Sequence, residues 1–254
     1  MKFGELVKHN KPDLVVSPRH DQWMRENGDA KYSPTAIRFA EEQFRAQQRE
    51  RKGTISASSL GSCRRRQIFG FLGWFQLPPT GKTAAIFHNG TFMHIRWQMA
   101  GLTEGWMAQA EVPVGDNALD MSGTMDGVAY DGSIVELKSC NSNAFRRVNT
   151  FGVNEEHVFQ VGTYGVATGR DKAVVIYEDK DTQEYREFVV PIDDSLTHAV
   201  RKISEKVWGY IERKELPEPL ALCEEKTGYR YNSCPYRDRC LKTRDYAHAE
   251  EQAA

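Results

Sequence analysis

Residues 121–140, MSGTMDGVAYDGSIVELKSC, constrain the fold of this chain more than any other stretch. Two strand-like runs flank Asp131-Gly132, which is the pattern of an antiparallel β-hairpin. A strict two-residue loop would pair Tyr130 with Ser133 and set Asp126 opposite Leu137, turning Glu136 to the other face. A three-residue loop of Tyr130, Asp131 and Gly132, with Gly132 left-handed, instead pairs Ala129 with Ser133 and sets Asp126 opposite Glu136. The second form, a type I turn with a G1 bulge, suits a glycine at this place, and the sequence predicts it here. Lys138 lies two residues beyond Glu136 and shares its face in a strand. That register brings two carboxylates and an ammonium group together.

The rest of the chain reads as elements around this hairpin. Residues 1–32 are polar and irregular, with Pro12, Pro18 and Gly28, and are expected to form a mobile arm. Ser33-Pro34 looks like an N-cap followed by proline at the first helical position, opening a helix over about 34–52 that Gly53 ends. A second helix is expected over 56–73, containing Cys63, and a third over 82–103, containing His94. The period then changes to strands AQAEVPV, MSGTMDGVAY and SIVELKS, joined by Gly115-Asp116-Asn117 and by the hairpin turn. A helix over 154–168, strands AVVIYE and YREFVVPI, and a helix over 193–214 follow. This order predicts a mixed α/β fold with the hairpin at its centre. It divides into an arm (1–32), a helical region (33–106), an α/β core (107–214) and a Cys-rich C-terminal segment (215–254).

Composition limits the functions available. The chain has 254 residues, 40% hydrophobic and 11% aromatic, enough for a buried core. Its mean hydropathy is −0.61, and no apolar run approaches the roughly 20 residues that span a bilayer. MKFGELVKHNKPD lacks a secretory h-region, so a reducing cytoplasm is the expected setting and disulfides are not. A net charge of −1 provides no global attraction to nucleic acid, so any such binding rests on local patches. Three basic runs qualify: Arg45, Arg49, Arg51 and Lys52; Arg64, Arg65 and Arg66; and Arg146 with Arg147.

The chemistry-bearing residues then fall into two groups. Asp126 and Glu136 are hard oxygen ligands suited to Mg²⁺ or Mn²⁺, and a nearby Lys138 can orient water or offset charge on a phosphate. Cys63, Cys223, Cys234 and Cys240 bracket that hairpin in sequence. Thiolates can hold Zn²⁺ or an iron-sulfur cluster, and spacing does not choose between them. Cys140 follows Lys138 on a strand and reads as a small packed residue. Glu111 reads as a surface glutamate, with an extra acidic group near the metals as the lesser alternative.

These motifs together resemble the PD-(D/E)XK nuclease superfamily, in particular its iron-sulfur branch of CRISPR-associated RecB-like exonucleases and AddB nuclease domains. GTMD ending at Asp126 is similar to the first acidic motif, and VELKS supplies Glu136 and Lys138. GTFMH ending at His94 is similar to the helical histidine ligand, with Gly90 one turn earlier, and QVGTY from Gln160 to Tyr164 matches Q-x-x-x-Y. SASSLGSC before Cys63 and CPYRDRC from Cys234 to Cys240 look like two halves of a cluster module, although ten residues separate Cys223 from Cys234 where many relatives have two.

The resemblance implies a restriction-endonuclease-like mixed sheet flanked by helices, and a DNA exonuclease acting on single-stranded regions or ends in recombination, repair or replication. His94, Asp126, Glu136 and the Leu137 carbonyl would hold Mg²⁺ or Mn²⁺. Gln160 and Tyr164 would contact DNA. Cys63, Cys223, Cys234 and Cys240 would hold a 4Fe-4S cluster, or Zn²⁺, as a staple. No G-x-x-x-x-G-K-[ST] loop is present, so unwinding would fall to a helicase, recombinase or CRISPR-adaptation partner, and an oligomer is possible. A non-catalytic DNA-binding module and a zinc-stapled structural protein are the alternative readings.

Overall fold

The computed structural model describes residues 14–29, 31–45, 53–74, 76, 78–115 and 119–253. Strands β1 (Ile55–Ser56), β2 (Met107–Val114), β3 (Met121–Ala129), β4 (Ile134–Cys140), β5 (Lys172–Asp179) and β6 (Tyr185–Pro191) form one mixed sheet. Its order is β1-β3-β4-β5-β6, with β2 antiparallel on β3. The β4–β5 pair is parallel over seven residues, Ile134↔Ala173 to Cys140↔Asp179. A parallel pair needs a crossover connection. Helices α5 (Ser142–Phe151) and α6 (Glu155–Thr168) supply it. Sequence patterning missed α5, although Asn141 caps it and Phe145 and Val148 bury one face.

Helices cover both faces of the sheet. On one, α6 and α7 (Asp194–Glu212) bury Val158, Val161, Leu196 and Val200 against Ile134, Val175 and Val190. On the other, α4 (Gly81–Glu104) buries Met93 and Trp97 against Val135, Leu137, Val174 and Ile176. Glycine sets the closest approach on the first face. A Cβ on Gly162 would stand 3.0 Å from Leu196 and Val200 atoms, so the missing side chain lets α6 and α7 meet.

Residues 1–13 of the expected arm lie outside the described residues; over 14–29 the structure corrects the expectation of a mobile arm. Ser17–Glu26 is helix α1, opened by Pro18 in its first turn. Buried Glu187 on β6 accepts hydrogen bonds from the backbone N–H of Val15, Val16 and Ser17 and from the Ser17 hydroxyl. A carboxylate at a helix N-terminus satisfies orphan donors and favours the helix dipole. Helix α2 (Pro34–Arg45) follows; the rest of the expected 34–52 helix, with Arg49, Arg51 and Lys52, lies outside the described residues. So do residues 116–118 of the β2–β3 connection.

The expected helix over 56–73 is another correction. Residues 55–59 form β1 and a 3₁₀ turn, and helix α3 (Arg64–Phe71) begins only after Cys63, which stands at its N-cap. Ser59 and Ser62 hydroxyls bond the carbonyls of Ser56 and Ser59, so serines that compete with helical hydrogen bonds hold the turn instead. Among the described residues no helix is long and apolar enough to cross a membrane.

Candidate active site

The hairpin adopts the three-residue loop. Ala129 N–H donates to Ser133 O at 2.8 Å, Gly132 N–H donates to Ala129 O at 3.0 Å, and Gly132 has φ of 86°. Gly127 pairs with Val135 and Val128 with Ile134, the register that sets Asp126 opposite Glu136. The ladder stops there. The Leu137 N–H, which would continue it, donates to the Asp126 carboxylate at 2.7 Å. The two strands therefore part at Asp126, and its side chain replaces a backbone acceptor in holding β4.

Both helical layers reach this opening. His94 on α4 places Nδ1 3.3 Å from Asp126 Oδ1. A Cβ on Gly90 would meet only Ser139, at 4.0 Å, so the site has room for a methyl group there and does not require a close-approach glycine. From the other face, Gln160 on α6 donates to Glu136 Oε1 at 2.8 Å and accepts from Lys138 Nζ at 3.1 Å. Lys138 Nζ also stands 2.5 Å from Glu136 Oε1. Tyr164 is 2% exposed and its hydroxyl donates to Thr124 O at 2.8 Å. Gln160 is 6% exposed, so both residues expected to contact DNA are buried here, with Tyr164 behind Gln160.

Two more residues stand around the carboxylates: Gln98, which the sequence did not mark, and Glu111, which it offered there only as the lesser alternative. Gln98, fully buried one helical turn after His94, donates to Asp126 O at 2.8 Å and to Glu111 Oε1 at 2.7 Å. The Asp126 carbonyl is thus held by α4. Glu111 was expected on the surface; the β2–β3 register, with Ala110 opposite Gly127 and Val112 opposite Met125, puts it beside Asp126. Its φ of 50° is a left-handed conformation that costs a non-glycine residue of order 1 kcal/mol or more. A glutamine on α4 and a glutamate in a strand carry no motif, so only the fold marks them.

Charges in this opening are strongly perturbed. Burial of Glu136, aided by the nearby Asp126 charge, pushes its carboxyl up to about 7 against the opposing pull of Lys138. Burial would likewise raise Asp126, but His94, Lys138 and the Leu137 N–H outweigh it and hold this carboxyl below its ordinary value. Burial works against protonated His94 and Lys138, and the neighbouring carboxylates overcome it and raise both. Burial, with Asp126 adding to it, raises Glu111. Titratable groups pushed apart in one opening are a mark of functional sites.

The donor set fits a hard divalent cation. Glu136 Oε2 is buried and has no hydrogen-bond partner, an unpaired anionic oxygen that a cation would satisfy. Among the described residues no three His, Cys, Asp or Glu groups already stand at single-ion coordination distance, since the carboxylates are drawn to His94, Lys138 and Gln160 instead.

The cysteines assemble elsewhere. All five are free thiols. Burial, with the charges of Cys63 and Cys234, raises Cys223; burial also pushes Cys240 up to about 12, with Cys63, Cys234 and Cys223 contributing. Cys234 and Cys240 pack beside the Phe69, Trp74 and Tyr236 cluster, and the charges of Cys63 and Cys223 act on Cys240 despite the long Cys223–Cys234 spacing. Cys140 lies apart, packed against the core, with burial and Asp179 raising it to about 11. The C-terminal segment forms short helices α8 (Ala221–Glu224), α9 (Gly228–Asn232), α10 (Arg237–Cys240) and α11 (Tyr246–Glu251). It docks on α3 and Trp74: Arg65, buried within its basic run, donates to Thr243 O at 2.5 Å, and Trp74 Nε1 donates to Ala249 O at 2.7 Å.

Comparison with known proteins finds no matching family model and no matching curated protein. Solved structures do match. The structure of LHK-Exo in complex with dAMP is 18% identical, with a TM-score of 0.53, over 64% of this chain and 90% of that one. A structure of this alkaline exonuclease from Laribacter hongkongensis matches at 17% identity and a TM-score of 0.49, again over 64% of this chain and 90% of that one. The crystal structure of SSO0001 is 14% identical, with a TM-score of 0.50, over 90% of this chain and 96% of that one. The class is therefore defined at the level of fold: a mixed α/β sheet flanked by helices, similar to nuclease folds.

Proposed function

We propose that this chain is a Mg²⁺- or Mn²⁺-dependent deoxyribonuclease that hydrolyses phosphodiester bonds as an exonuclease on single-stranded DNA or DNA ends. The observation that carries this reading is the parting of β3 and β4 at Asp126, which leaves a buried, unpartnered Glu136 oxygen beside Asp126, His94 and Lys138. The fold shared with an exonuclease whose structure holds dAMP supports it.

Asp126, Glu136 and His94, with the Leu137 carbonyl, would hold the cation. When bound, a divalent cation lowers the pKa of coordinated water and offsets charge on the phosphate. Lys138 orients the attacking water and offsets charge as the transition state forms. Gln160 fixes Lys138 and Glu136 relative to each other through its amide. Gln98 keeps the Asp126 backbone in place by holding its carbonyl.

Cys63, Cys223, Cys234 and Cys240 form, on this reading, an iron-sulfur staple. The electrostatic influence of Cys63, Cys223 and Cys234 on Cys240 supports a shared site for the four thiolates, which could hold zinc as well as a cluster.

Incubation of end-labelled linear DNA and circular DNA with Mg²⁺ or Mn²⁺ tests the reading. Linear DNA is expected to be degraded from its ends, and Glu136→Gln and Lys138→Ala to lose on the order of 10² to 10³ in rate. Unchanged cleavage by both variants would refute the site. Protein prepared without oxygen is expected to be brown and to contain iron; colourless, zinc-loaded protein would refute the cluster.

A further inference from the structure

A second cavity, of about 450 Å³, lies between the 54–59 segment, α3 and the C-terminal segment. Ser56, Ser58, Ser59, Trp74 and Tyr236 line it, and Arg66 is the one formally charged residue among the described residues that do. Arg66 and Ser58 are solvent-exposed. Ser56 and Ser58 share a hydroxyl–hydroxyl hydrogen bond at 2.8 Å and Ser59 donates to Ser56 O, so Arg66 is the principal donor to an incoming phosphate, and with no carboxylate among the lining residues the cavity repels nothing anionic.

The place of this cavity ties it to the candidate active site. Strand β1 runs parallel to β3, with Ser56 opposite Ser122, and Thr54 and Ser122 are hydrogen-bonded through their hydroxyls at 3.1 Å. Asp126 lies four residues farther along β3, about 13 Å at 3.3 Å per residue. A DNA strand covers that distance in a few nucleotides. The turn after β1 packs against the site's own support: a Cβ on Gly123 would stand 3.2 Å from Ala57 and 2.8 Å from the Tyr164 ring.

The wall is fixed by the cysteine-bearing tail. Tyr236 lies between Cys234 and Cys240 in sequence, is 3% exposed, and meets Phe69 and Trp74 edge-on at 5.6 Å and 6.0 Å. Its hydroxyl accepts from Gln76 Nε2 at 3.1 Å. Phe69 and Trp74 stack at 3.9 Å behind it.

We infer that this cavity is a second DNA-binding subsite, which takes a backbone phosphate of the substrate strand a few nucleotides from the scissile bond, with Arg66 as its ionic contact. The inference rests on the nuclease reading and names where its substrate strand runs. It also assigns the cysteine module a share in substrate binding, since Tyr236 closes the wall.

Fluorescence anisotropy of a labelled single-stranded 20-mer, measured in EDTA so that nothing is cut, tests it. Arg66→Ala is expected to weaken binding about five- to tenfold and to lower the slope of log K against log salt by about 0.7, one phosphate contact to a single strand. Arg64→Ala, an exposed cation on the same helix outside the cavity, is expected to change affinity less than twofold. Hydrolysis of bis(p-nitrophenyl) phosphate with Mn²⁺, a substrate too short to reach the cavity, is expected to be unaffected by Arg66→Ala. Equal losses from Arg64→Ala and Arg66→Ala, or no loss from either, would overturn the subsite. If the chromogenic substrate is still hydrolysed in that case, the nuclease reading survives without it. Absence of both hydrolysis and DNA binding in the unaltered protein would overturn the two together.

Discussion

Glu136 carries one oxygen engaged by Lys138 and Gln160 and another, buried, with no partner. With its carboxyl raised to about 7, a cation must displace a proton to bind. Affinity for Mn²⁺ is therefore expected to rise with pH through the region around 7, with proton uptake by buffer, and Glu136→Gln is expected to remove that dependence. Calorimetric titrations in two buffers of different ionisation heat check this. Gln98→Leu keeps the volume but removes the donor from the Asp126 carbonyl and from Glu111. Denaturant titration is expected to show a loss of about 1–3 kcal/mol, the cost of stranding buried acceptors. Metal affinity is expected to fall at least about tenfold, as when a supporting partner of a ligand is removed. Asp126, Glu136 and Lys138 were legible in the sequence because a glycine turn fixes a short-range register. Gln98 and Glu111 were not, because their roles come from α4 and β2 packing beside the hairpin.

Local pattern predicted β2 to β6, α4, α6 and α7 to within a few residues, since each has a period of its own. It misjudged α1, whose ordering comes from Glu187, 170 residues away from Ser17. Glu187→Ala leaves three buried backbone N–H groups without their acceptor. Limited proteolysis is expected to cut within residues 19–31 of that variant and to spare the unaltered protein, where α1 stays docked. On α1 itself, His20 stacks on Trp97 at 3.7 Å, 2% exposed, and burial with the Arg96 charge lowers its pKa to about 4. Below pH 6.5 the unfolded chain takes up a proton that the folded state refuses until about 4, so stability falls as pH falls through that window. At 1.36 kcal/mol per unit the contribution reaches at most about 3 kcal/mol. His20→Phe is expected to flatten this part of the pH–stability curve measured by denaturant unfolding. His157, lowered to about 3 by burial and by Lys138, keeps its own share of acid sensitivity.

Across the whole molecule, the Cys-rich segment packs on α3 and Trp74, so that residues far apart in sequence share one small core. If the four thiols hold a cluster, its removal by chelator and oxidant is expected to lower the melting temperature by at least about 5 °C and to expose the chain after Lys214 to protease. Circular dichroism should show the α/β core retained. The sequence by itself determined the hairpin register and the elements β2 to β6, α4, α6 and α7, because those follow from periods and turns of a few residues. Only the tertiary structure decided that β3 and β4 part at Asp126, that Gln98 and Glu111 stand beside it, and that Tyr164 is buried behind Gln160. Each of those depends on which helix packs on which face of the sheet, and that is set by burial summed over distant segments.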